Sequence, residues 1–202
     1  MNANSYVHRL HAGARGKPIL FTLHGTGGDE NQFFDFGRQL LPDATIVSPR
    51  GDVSEFGAAR FFKRTGEGVY DMADLARATE KLSDYVTNLA REHDASAILG
   101  LGFSNGANIL ANVLIEKGLF DVSALLHPLI PFKPRANEAL AGRKILITAG
   151  ERDPISPKAV TEALADYFEA QKAAVVTDWH AGGHEIRPNE VDAVRNLFQA
   201  YL

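Results

Sequence analysis

The chain has 202 residues, 45% of them hydrophobic and 23% charged, with a net charge of −4 and no cysteine. This is ordinary globular composition, and the length suits a single domain over residues 1–202 with a sizeable buried core. Without a basic excess, nucleic acid and anionic membrane are not expected partners; without cysteine, disulfides, thiolate metal sites and a cysteine nucleophile are excluded.

The opening MNANSYVHRLHAG has no apolar stretch of the kind a secretion signal needs, and no run of 18 apolar residues offers a membrane span. A cytoplasmic location is the expectation. In chain order, residues 5–10 read as a strand. Residues 19–23 (ILFTL) form a second strand that runs into the glycine-rich LHGTGGDE. A short helix is expected over 31–41 and a strand over 45–48. A long helix follows over 71–93, with Leu75, Leu82, Tyr85, Val86 and Leu89 on one stripe and Asp71 placed to cap its start. Strand 97–101 leads into helix 105–117, and strands 122–126 and 145–148 come next. Helices over 157–171 and 188–202 each open with proline, which needs no N–H there, and strand 175–179 lies between them. Most of these strands are continuous apolar runs, as strands covered on both faces by helices are. Alternation of strand and helix predicts an α/β domain with a mainly parallel sheet, whose working residues gather beyond the carboxyl ends of strands.

Three chemically capable residues meet that test. Ser104 sits in GFSNGAN, between the strand AILGL and a helical pattern, at G-x-S-x-G spacing. Side chains at Gly102 and Gly106 would collide with backbone in so sharp a turn. A serine hydroxyl needs a base to become a nucleophile, and His184, in HAGGHEIRP beyond the last strand, is the favoured base over His180. The acid is expected after the preceding strand, where Asp153 stands in AGERDPISP; Glu151 is its neighbour and competitor. Backbone N–H groups of Thr26 and Asn105 are the candidate oxyanion donors, with His24 supporting the loop. A zinc helix is excluded at HEIRP, because the second histidine position is occupied by Pro188.

With those residues placed, the chain resembles bacterial α/β-hydrolases of the phospholipase/carboxylesterase family, which also includes acyl-protein thioesterases. The resemblance runs from residue 18 to the C-terminus. It rests on LHGTGGDE, GFSNGAN, AGERDPISP and GGH, and GFSNGAN is most similar to the GYSNGAN-like elbows of small bacterial hydrolases. PRG at 49–51 and RFFKR at 60–64 fit the same subfamily. It implies an α/β-hydrolase fold, mainly parallel and flanked by helices, without a lid domain. It implies a serine carboxylesterase for small to medium esters that needs no metal or organic cofactor. It also implies a largely apolar pocket, to which Arg60, Phe61, Phe62, Leu129 and Ile130 are the candidate contributors. Thr26 and Asn105 stand where acyl-protein thioesterases usually carry leucine and glutamine, which bears on substrate class. A lysophospholipase or acyl-thioester hydrolase is the alternative, and a non-catalytic ligand-binding protein on this fold is a third reading. Some family members are dimers, so a homodimer is a state the resemblance allows.

Overall fold

The structure is a computed structural model and describes residues 5–202. In chain order the elements are β1 (His8–His11), β2 (Ile19–Leu23), α1 (Phe34–Leu40) and β3 (Thr45–Pro49). Four short strands follow: β4 (Val53–Glu55), β5 (Ala58–Arg60), β6 (Arg64–Gly66) and β7 (Val69–Tyr70). Then come α2 (Met72–Glu92), β8 (Ile98–Phe103), α3 (Asn105–Lys117), β9 (Val122–Leu126), β10 (Lys144–Gly150), α4 (Lys158–Ala170), β11 (Ala174–His180) and α5 (Pro188–Phe198). The central sheet has seven strands in the order β1-β3-β2-β8-β9-β10-β11. Its edge strand β1 runs antiparallel to β3, and every other pair is parallel. The α/β architecture with a mainly parallel sheet is therefore as the sequence predicts.

The unbroken apolar runs have a direct cause. Successive side chains of a strand point to opposite faces. Ile19, Phe21 and Leu23 enter one core with the buried stripes of α2, α3 and α4. Leu20 points the other way, into a second core with Phe34 and Leu40 of α1 and Val194 and Phe198 of α5. Ile145 and Ile147 of β10 divide from Leu146 in the same manner. The last strand, β11, is an edge strand, and its exposed Val176 marks the open side. Asp71 caps α2 as expected, its carboxylate accepting the Asp74 N–H at 3.0 Å.

Three boundaries differ from expectation by three residues or more. The first strand begins at His8 rather than residue 5; α1 starts three residues late, after a turn; and the final helix ends at Phe198, continued by a 3-10 turn. The two small hairpins β4–β5 and β6–β7 have no counterpart in the sequence reading. Their strands are two or three residues long and carry too little pattern to register. Among the described residues, no helix is long and apolar enough to cross a membrane.

Parallel pairing lines up the carboxyl ends of β2, β8, β9, β10 and β11 along one edge. The residues that immediately follow β2, β8 and β9 are His24, Ser104 and His127. Asp153 lies three residues beyond β10, and His184 four beyond β11.

Candidate active site

Ser104 occupies a strained corner. Its φ of 51° and ψ of −117° lie where residues with a Cβ are rarely found. The glycines at either side make that corner fit. A Cβ on Gly106 would lie 2.2 Å from the Leu23 carbonyl oxygen, and one on Gly102 would lie 2.6 Å from that of Gly106. The Ser104 N–H is tied to the Leu126 carbonyl at 2.9 Å, and α3 begins at the next residue.

The hydroxyl reaches a continuous polar chain. Ser104 Oγ lies 2.8 Å from His184 Nε2, and His184 Nδ1 lies 2.6 Å from Asp153 Oδ2. Since the carboxylate can only accept, Nδ1 carries the proton and Nε2 presents its lone pair to the hydroxyl. The other carboxylate oxygen, Asp153 Oδ1, accepts the N–H groups of Ile155 and Ser156 at 2.8 and 3.0 Å. Burial pushes the Asp153 carboxyl up, but these N–H groups and two imidazoles outweigh it and hold it below the ordinary carboxylate value. Glu151 is exposed, and His180 turns away to Glu190.

Thr26 and Asn105 both line the cleft beside Ser104. Among the described residues, no backbone hydrogen bond of the turns and loops uses the N–H of either one. Asn105 opens α3, where the first N–H groups lack helical acceptors. Arg60 Nη1 donates to the Thr26 hydroxyl at 2.6 Å, and the Gly27 N–H donates to Ala59 O, so hairpin β4–β5 braces this loop. His24 is buried behind it. Its Nδ1–H donates to the Gly25 carbonyl at 2.7 Å and its Nε2 accepts the Gly51 N–H at 2.9 Å. Burial lowers its pKa, consistent with that neutral tautomer.

The cleft has a volume of about 300 Å³. Of the expected pocket residues, Arg60 and Leu129 line it. Phe61 and Phe62 do not: both are fully buried in the main core, where Phe61 packs against His24 at a tilt and Phe62 meets Tyr70 edge to face. Large aromatic rings gain more from that burial than from a wall facing water. Ile130 lies instead on a separate apolar groove between the segment 130–136 and α4. The cleft is also more polar than expected, because hairpin β6–β7 contributes Arg64 and the adjoining Glu67 and Gly68.

Two residues at this edge have no catalytic role in the sequence reading. His127 is fully buried, with Nδ1 2.8 Å from Asp153 Oδ2 and Nε2 3.0 Å from Glu190 Oε1. Glu190, in the first turn of α5, is equally buried. His127 follows β9 directly, so the rule that selects Ser104 also selects it. Glu190 had no such signal, since a glutamate in a first helical turn is ordinary. His127, His180 and Glu190 bring three donor atoms within 4.8 Å of one another. However, His180 Nδ1 accepts the Gly182 N–H at 3.0 Å, which leaves the proton on Nε2. A metal ligand has the opposite arrangement, with the bare nitrogen facing the cluster. This group reads as a proton-bearing network.

A family model described as TAP-like protein matches residues 128–202. The chain is 36% identical to MhqD of Bacillus subtilis (strain 168), a protein named as a hydrolase, over 90% of this chain and 92% of that one. Its structure is similar to that of Atu2452 from Agrobacterium tumefaciens, a protein of unknown function, at 58% identity over the whole of both chains and a TM-score of 0.95. It is also similar to a carboxylesterase from Bacillus cereus, at 34% identity over 100% of this chain and 96% of that one, with a TM-score of 0.91.

Proposed function

The chain belongs to the α/β-hydrolases of the phospholipase/carboxylesterase type, and from that premise we propose that it is a serine carboxylesterase for small esters. The observation that carries this reading is the unbroken chain from Ser104 Oγ through His184 to Asp153, at 2.8 and 2.6 Å. A hydroxyl in that setting passes its proton to the imidazole as it attacks an ester carbonyl. The Thr26 and Asn105 N–H groups, which among the described residues make no backbone hydrogen bond of the turns and loops, supply donors for the oxyanion of the tetrahedral intermediate. His184 then gives the proton to the departing alcohol. Water, activated by the same nitrogen, releases the acid from Ser104.

The size of the cleft supports a small substrate. About 300 Å³ lies at the low end of small-molecule sites, and Leu129, Phe103 and Ile155 share its walls with Arg60, Arg64 and Asn108. The large apolar groove that would suit a long acyl chain shares no lining residue with it. That separation favours the esterase reading over a lysophospholipase or a long-chain thioester hydrolase.

Ser104→Ala tests the reading. Turnover of an activated short-chain ester falls by about 10⁴-fold or more, and a fluorophosphonate probe that labels the wild-type protein no longer labels the variant. Wild-type activity in the variant overturns the assignment. Esters graded by acyl length test the substrate class: rates that rise steadily into long acyl chains overturn the small-ester reading.

A further inference from the structure

We propose that His127 is a positioning residue of the Ser104–His184–Asp153 chain: an imidazolium at neutral pH, buried between Asp153 and Glu190, that holds the carboxylate and keeps His184 ready as a base. This inference rests on the esterase reading and deepens it.

A count of donors and acceptors places the proton. Asp153 accepts at both oxygens, from two backbone N–H groups at Oδ1 and from the Nδ1 atoms of His184 and His127 at Oδ2. Glu190 also accepts at both. Its Oε1 takes the Thr148 hydroxyl at 2.5 Å, and its Oε2 takes the Arg187 N–H at 2.6 Å. The protonated Nε2 of His180 faces Oε2 as well, at 3.3 Å. Both acids are therefore carboxylates with every position filled by donors. His127 stands between them with one ring nitrogen toward each. A neutral ring has one N–H, so it would press a bare nitrogen against a carboxylate oxygen at about 3 Å, with no water to intervene. Nε2 makes no hydrogen bond of full geometry, and its approach to Glu190 Oε1 at 3.0 Å is an ion-pair contact. Among the described residues, no lysine or arginine pairs with either carboxylate. The imidazolium is thus the cation that two buried anions require.

Glu190 as a helix cap does not account for this geometry. A cap needs only Oε2, whereas Oε1 points back toward β10 and His127. Burial lowers the His127 pKa, but Glu190 and Asp153 outweigh it and raise it overall, which agrees with the count. The charged and titratable groups facing His127 are Asp153 from the segment after β10, Glu190 from α5, His180 at the end of β11 and His184 before α5. The His127 and His184 rings are 5.1 Å apart. A fixed positive charge at that distance acts electrostatically on the Ser104–His184–Asp153 chain. It also occupies part of Asp153 Oδ2, which locks the carboxylate toward the base.

The test has a spectroscopic and a kinetic arm. In wild-type protein labelled at histidine nitrogen, NMR finds both ring nitrogens of His127 protonated at about pH 7.5, where an ordinary imidazole is mostly neutral. A bare nitrogen on His127 at neutral pH overturns the inference. In His127→Asn the cation beside the reacting chain is gone, so the acid limb of kcat/KM moves up by about one pH unit. Glu190→Gln makes His127 give up its proton at a lower pH than in the wild-type protein, read in the same NMR experiment. Each variant is first shown to be folded by circular dichroism. A folded His127→Asn whose activity falls evenly at every pH overturns the positioning role. Fluorophosphonate labelling of the wild-type protein separates the two ideas. A bare His127 in a protein whose Ser104 labels defeats this inference alone; an imidazolium in a protein that does not label defeats the esterase reading and the positioning role with it.

Discussion

Asp153 Oδ2 accepts from two imidazoles at once, from His184 at 2.6 Å and from His127 at 2.8 Å. The charge on this carboxylate matters more than its shape. An asparagine fits the space but turns either an N–H₂ or a carbonyl toward His184. If the N–H₂ faces Nδ1, it draws the lone pair there and leaves the proton on Nε2, where it cannot receive the Ser104 proton. Asp153→Asn is therefore expected to lower kcat by about 10³- to 10⁴-fold on a short ester, measured beside the wild-type protein. A loss under tenfold would mean that the acid lies elsewhere. Glu151, exposed and outside the chain of contacts, leaves activity unchanged when replaced by glutamine.

At the scale of elements, the strand ends were legible in the sequence because burial on both faces leaves a plain mark. Ile19 to Leu23 and Ile145 to Ile147 are apolar at every position except Thr22, and each is sandwiched between two cores. Ser104, Asp153 and His184 were legible because they follow such strands. The hairpins β4–β5 and β6–β7 were not legible, and with them went the polar wall of the cleft. The β4–β5 turn at Phe56 and Gly57 has a positive φ at both residues, and phenylalanine gives no hint of that. Phe61 and Phe62 were misplaced for a related reason: an aromatic pair in a loop looks the same whether it faces a cleft or a core. Helix starts were plainer. Asp71 caps α2 through the Asp74 N–H, while Asp74 itself accepts from Lys63 N–H at 2.7 Å. Asp71→Ala is expected to cost about 1 kcal/mol, read as a lower midpoint in urea at unchanged slope. No shift in that midpoint would show that the cap contributes nothing.

For the whole molecule, the buried edge of the sheet sets how stability answers to pH, and its histidines act with opposite signs. His24 has its pKa held below the ordinary 6.5, so the unfolded chain binds the extra proton first as pH falls through that value. Its contribution is present above about pH 6.5 and is lost on the acid side. Asp153 and Glu190, both held below their ordinary values of 3.8 and 4.5, add to that acid loss once the unfolded carboxylates begin to protonate. His127 runs the other way. Its pKa is raised above 6.5, so the folded state keeps a proton that the unfolded chain releases. Its contribution is complete below about pH 6.5 and fades as pH climbs through the folded value. The buried phenols of Tyr6, Tyr70 and Tyr85 are pushed up as well, but their unfolded counterparts ionise only near 10. Between about pH 6.5 and about pH 9, the falling limb thus belongs mainly to His127. A series of melting temperatures across this window should decline in the wild-type protein. His127→Asn lowers the whole curve, because Asp153 and Glu190 lose their cation, and flattens it over the same window. A wild-type curve already flat there would mean that His127 carries no extra proton, whatever the catalytic role of its neighbours.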